Sequence, residues 1–157
     1  MKSLTILYLM LLGIALGVEI AAGAFVAPVI FFPQKFLGEG VLTHFQSGIL
    51  MTQVFFKMNI TIGFIALYSI IYEVQTALLR HKNYDTSALI ISFLCVVATG
   101  LFLFYYTPFI VEAQQLGADH TTTEAFASMH KQSEIVMKTL MGFQWLLFLR
   151  RGWLLQK

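Results

Sequence analysis

Four stretches of this chain are too long and too apolar to be dissolved by water: roughly Leu4 to Phe32, Gly48 to Leu79, Ala88 to Val111 and Ile135 to Leu155. About 20 such residues in helical form cross the hydrocarbon core of a bilayer. Lipid offers the backbone no hydrogen-bond partner, so a helix, which satisfies its own N–H and C=O groups, is the form imposed on each run. The expectation is an all-α integral membrane protein, a four-helix bundle forming a single transmembrane domain over residues 1–157. The first two runs exceed the requirement, so they tilt or project into water. The fourth is the most interrupted, by Lys138 and Gln144, and Arg150-Arg151 closes it. Composition agrees: 58% of the 157 residues are hydrophobic and 11% charged, against about 25% charged in a soluble domain. A net charge of +2 without a long basic run offers nothing for nucleic acid to bind. The single cysteine, Cys95, excludes an intramolecular disulfide. Lys2 and Ala22-Gly23-Ala24 resemble a signal peptide and its cleavage site, but Glu19 and the apolar run through Phe32 point to an uncleaved span.

The basic residues set the orientation, because lysine and arginine in short connections are retained in the cytoplasm. Lys2, Arg80, Lys82, Arg150, Arg151 and Lys157 fall on one side, and Lys35 and Lys131 on the other. This predicts a bacterial inner-membrane protein with both termini and the connection Arg80 to Thr86 cytoplasmic, and the connections Pro33 to Ser47 and Glu112 to Glu134 outside. His81 and His120 read as solvated loop residues. Two exterior stretches match at five of eight positions, His44-Phe45-Gln46-Ser47-Gly48-Ile49-Leu50-Met51 and His130-Lys131-Gln132-Ser133-Glu134-Ile135-Val136-Met137. Each follows an apolar run containing a proline, Pro28 or Pro108, which suggests two duplicated hairpins, about 4–79 and 88–155, related by a pseudo-two-fold axis along the membrane normal. Within the second exterior connection, Asp119 to Glu134 reads as a short interfacial helix capped by Thr121 to Thr123.

Polar residues inside such runs are costly and require a partner or a purpose. Glu19 and Lys57 come to similar depth on adjacent antiparallel helices, so they are a candidate intramembrane pair, with Gln53 and Thr61 on the same face as Lys57. The pair reads either as a lock on the hairpin or as a relay for protons or ions. The first run also carries Gly13-x-x-x-Gly17 and Gly23-x-x-x-Ala27, spacings that let another helix approach closely. His44 and His130 are the candidate metal or haem ligands, with Glu112 a third donor. The alternative is that both histidines are interfacial helix-start residues retained by the duplication. No nucleophile–base pair with an orienting carboxylate and no phosphate-binding glycine loop is present, so an enzyme is expected only if a cofactor supplies the chemistry.

Phe126-x-x-Met129-His130-x-x-Ser133 resembles the signature of the domain-of-unknown-function family that includes the transmembrane protein 205-like proteins. Gly23-Ala24-Phe25 through Pro28 and Phe31, and Phe45-Gln46-Ser47 leading to Phe55-Phe56, are similar to its first hairpin. Where that family usually has Asn, this chain has Met137. The resemblance implies a four-span membrane protein without an established activity. At the level of the four-span plan alone, the chain is also similar to copper-resistance D proteins and the membrane protoporphyrinogen oxidase family. Two functional readings follow. One is small-solute, metal or haem handling at the exterior end between the hairpins. The other is a structural or assembly subunit, a homo-oligomer or member of a membrane complex, packing through the Gly/Ala face of the first span. A haem- or quinone-linked redox enzyme is a third.

Overall fold

A computed structural model describes residues 2–79 and 84–156. Arg80, His81, Lys82 and Lys157, part of the charge asymmetry and of the Arg80 to Thr86 connection, lie outside the described residues. Among those residues the secondary structure is entirely helical, without a strand. Three helices are long and apolar enough to cross a membrane by length and composition: the first, Lys2–Phe31, the second, His44–Leu78, and the third, Thr86–Leu116. The fourth long helix, Glu124–Leu155, is of similar length but does not meet that measure. Lys131, Glu134, Lys138, Gln144 and the arginine pair dilute its apolar residues.

The helix starts follow from local chemistry. Thr43 Oγ1 accepts the Gln46 N–H while Gln46 Oε1 accepts the Thr43 N–H, a reciprocal capping box that starts the second helix four residues ahead of its apolar run. Asp85 caps the third helix, accepting the Ala88 N–H at 2.8 Å. That helix ends where Gly117 takes a φ of 112°, a conformation that favours glycine. Asp119 to Glu134 does not form the separate interfacial helix expected of it. A short 3₁₀ segment, Ala118–Thr122, precedes Thr123, which caps a helix that continues unbroken to Leu155. No turn residue intervenes between Glu124 and the apolar run, so nothing stops the helix.

The first and third helices each contain one wide π-helical segment, Ala21–Val26 and Phe102–Tyr106, immediately before Ala27-Pro28 and Thr107-Pro108. Proline has no N–H and its ring crowds the carbonyl four residues back. Widening the turn accommodates the ring: the Ala27 N–H donates to the Ala22 carbonyl and the Thr107 N–H to the Phe102 carbonyl, five residues back. The Thr107 hydroxyl donates to the same Phe102 carbonyl at 2.8 Å.

The first helix packs against the second and the fourth, and the third packs against the same two. Tyr8, Leu12, Met58, Ile62, Phe102 and Leu140 are among the apolar residues buried between them. The outward faces carry Phe25, Ile60, Phe64, Phe93, Phe104 and Leu149, all strongly exposed. Large apolar side chains arrayed along several helix faces are what a hydrocarbon solvent permits and water penalises.

Candidate functional site

Among the described residues, the polar side chains that bear on function fall in three groups along the helices, two of them buried. Near the middle is Glu19, 17 residues into the first helix and so about 25 Å along it from Lys2. Glu19 is 3% exposed and Gln144, on the fourth helix, 4% exposed. Gln144 Nε2 donates to Glu19 Oε1 at 3.0 Å. Glu19 Oε2 and Gln144 Oε1 have no hydrogen-bond partner. Closer to the far end from the termini, Asn59 Nδ2 donates to Thr107 Oγ1 at 3.0 Å, joining the second and third helices at the π-helical segment.

The second group stands where the first and last residues of the four helices meet. Arg151, 0% exposed, donates from Nη2 to Glu73 Oε2, and its guanidinium lies over the Tyr72 ring at 5.0 Å. Tyr72 Oη and Thr5 Oγ1 are hydrogen-bonded at 2.8 Å, and Tyr8 Oη and Ser92 Oγ at 3.4 Å. All four long helices therefore contribute to one polar layer. Outside it, Arg150 forms a two-pronged bond with Asp85, Nε to Oδ1 at 3.1 Å and Nη2 to Oδ2 at 2.6 Å.

The Arg150 hydrogen bonds, aided by the Ala88 N–H, hold the Asp85 carboxyl below the usual carboxylate range. A depressed carboxyl pKa contributes stability that is complete above the ordinary carboxylate range and lost as the pH falls through the folded-state value. Asp85→Asn keeps an N-cap but removes the charge. Its unfolding temperature is therefore expected below wild type at neutral pH and equal to it in strong acid. Thermal unfolding in detergent across pH checks this. The pair is partly exposed, so added salt should shrink the difference.

The third group lies at the far end, where the two matching stretches sit. His44 is the first residue of the second helix, with its ring 5.4 Å from that of Phe31. His130 comes seven residues into the fourth helix, stacked on Phe126 at 6.1 Å. Both histidines and Glu112 are exposed. Among the described residues no group of three or more His, Cys, Asp or Glu is placed to hold a metal ion, so the set His44, His130 and Glu112 is not brought together. The two stretches also differ in role. Gln46 closes a capping box whereas Gln132 donates to Ser128, and Ser47 bonds the Ile30 carbonyl of the first helix whereas Ser133 bonds the His130 carbonyl of its own.

The expected pair of Glu19 and Lys57 is likewise not formed. Lys57 and Gln53 are both exposed on the second helix, and no ion pair among the described residues includes Lys57. A lysine on the outer face keeps a route along the helix surface to the interface, whereas Glu19 faces the fourth helix. Gln144, read in the sequence only as an interruption, is its partner. The signal for the arginine cluster was present: Glu73 and Arg151 both fall near helix ends assigned to one side.

Long apolar helices enclosing a few paired polar groups define a helical membrane protein. Residues 10–119 match the family described as Domain of unknown function (DUF4149), and the chain belongs to that family. No curated protein and no solved structure matches it.

Proposed function

We propose that the chain is a four-span bacterial inner-membrane protein with cytoplasmic termini, and that it works as an assembly subunit whose first helix docks on the first helix of a second copy. The observation that carries the docking is the open glycine face of that helix. Gly13, Gly17, Ala24 and Pro28 are exposed along one side of the helix, one or two turns apart, and a Cβ added at Gly17 meets no atom within 4 Å. Glu19 lies on the opposite, buried face, so the stripe is uncharged and self-complementary. Two copies inserted in the same sense present it to each other across a two-fold axis, and close backbone approach at small residues is what associates helices in lipid.

The fourth helix supports the four-span reading through its inward face. Ser133, Leu140, Gln144, Leu147 and Arg151 are buried at helical spacing, and Arg151 and Arg150 each meet a carboxylate. The π-helical segments ahead of Pro28 and Pro108 support a duplicated hairpin, since the two halves share a distortion at the same place. The likeness to transmembrane protein 205-like proteins belongs to the same proposal. Both histidines are exposed and each lies against a phenylalanine ring, which favours assembly over metal or haem handling.

Single-molecule counting of labelled chains in lipid vesicles, diluted with increasing lipid, tests the docking. Gly17→Leu is expected to weaken association about tenfold, equivalent to about 1.4 kcal/mol. Gly142→Leu, at an exposed glycine of the fourth helix that also meets nothing within 4 Å, should leave it unchanged. A wild-type chain that stays monomeric at every dilution, or a Gly17→Leu chain that associates like wild type, refutes the proposal.

A further inference from the structure

Glu19 and Gln144 each retain one oxygen without a partner, and the two deficits are complementary. One hydrogen bond already joins the carboxyl to the amide, from Gln144 Nε2 to Glu19 Oε1. What remains is two buried acceptors, Glu19 Oε2 and Gln144 Oε1, and the second N–H of Gln144 Nε2 cannot serve the oxygen of its own amide. An ionised carboxylate cannot supply one, because it is acceptor-only, whereas a carboxylic acid carries an O–H. Flipping the amide does not help: the bond to Oε1 would then lose its donor.

Among the described residues no cation forms an ion pair with Glu19. Its hydrogen-bond partner is Gln144, from the fourth helix, where Lys138 is exposed and bonded to Glu134. On the second helix Lys57 is exposed, and Glu73 is engaged with Arg151. The titratable group facing Glu19 from the third helix is the buried Cys95 thiol, which brings no positive charge. A lone carboxylate so placed in hydrocarbon costs several kcal/mol or more, and one proton removes both the charge and the donor deficit.

We infer that Glu19 and Gln144 form a proton-binding site, in which Glu19 Oε2–H donates to Gln144 Oε1 while Gln144 Nε2–H donates to Glu19 Oε1. The closed ring of two hydrogen bonds joins the first and fourth helices at mid-depth. Only one proton is taken up, and no bond other than Oε2–H is made. The site is independent of the docking face, which lies on the other side of the first helix.

Infrared difference spectroscopy of the purified full chain at neutral pH, wild type minus Glu19→Gln, tests the inference. The expected difference is a single band in the carbonyl-stretch region of protonated carboxylic acids, lowered by transfer to heavy water. In Gln144→Leu the band should move to higher frequency as its hydrogen bonds are lost. Glu19→Gln should unfold at the wild-type temperature, because its amide N–H replaces the acid O–H toward Gln144 Oε1, while Glu19→Ala should unfold lower. Carboxylate bands in place of the acid band overturn the inference. A wild-type unfolding temperature that rises with sodium but not with a bulky organic cation at equal ionic strength also overturns it, since a metal ion would then occupy the proton's place.

Discussion

Arg151→Ala is expected to destabilise the protein by about 3–5 kcal/mol, the cost of leaving one member of a buried ion pair without the other. Arg151 is fully buried and donates to Glu73, itself 3% exposed, with its guanidinium over Tyr72. Removing the guanidinium strands the Glu73 carboxylate among Tyr8, Tyr72 and the Thr5 hydroxyl, a layer to which every long helix contributes. Glu73→Ala should cost a similar amount for the mirror-image reason. Arg151→Met combined with Glu73→Leu should recover most of the loss, because an apolar pair of similar volume leaves no charge to solvate. Reversible unfolding in mixed detergent micelles, followed by the loss of helical circular dichroism, gives the three values and their coupling. Single variants that unfold at the wild-type midpoint, or a double variant with the summed loss of both, would show that the buried pair does not hold this end of the helices together.

What could be read from the sequence was whatever depends on one segment at a time. Hydropathy located the first three long helices to within about five residues, because an apolar run in lipid has no alternative to the helix. The ends shifted where a cap lies outside the apolar run: Thr43 starts the second helix early, and Thr123 joins the expected interfacial helix to the last run. Partner choice was much less legible. Pairing Glu19 with Lys57 rested on depth, and depth is shared by every helix crossing the same plane. Which face a residue occupies, and which neighbour lies there, depends on helix rotation, and that is fixed by packing of the whole set. Lys57 faces outward and Glu19 faces Gln144. The matching histidine stretches show the same limit. The stretches opening at His44 and His130 begin at a helix start in one case and within a helix in the other, so their matching glutamines, Gln46 and Gln132, acquire different hydrogen bonds. The π-helical segments had a sequence correlate in Pro28 and Pro108, but whether proline kinks a helix or widens it is decided by where the displaced carbonyls find donors.

Gln144→Leu is expected to cost about 1–3 kcal/mol, the penalty for leaving a buried polar group without its hydrogen bonds. Leucine fills a similar volume, so the loss reports the missing amide more than a cavity. Gln144 Nε2 is the donor to Glu19, and both side chains are nearly inaccessible. The diagnostic comparison is the double variant Glu19→Leu with Gln144→Leu, which should unfold close to wild type, because replacing both partners by apolar groups leaves nothing unsatisfied. Denaturant unfolding in micelles supplies the cycle, and the coupling energy should be opposite in sign to the single losses and comparable in size. A Gln144→Leu chain as stable as wild type would mean that the carboxyl finds another partner and that the amide is dispensable. Recovery in the double variant would also separate folding from function. A chain that folds without Glu19 and Gln144 still presents the Gly17 face of the first helix, so retained self-association in that chain would place assembly and proton binding on opposite sides of the same helix.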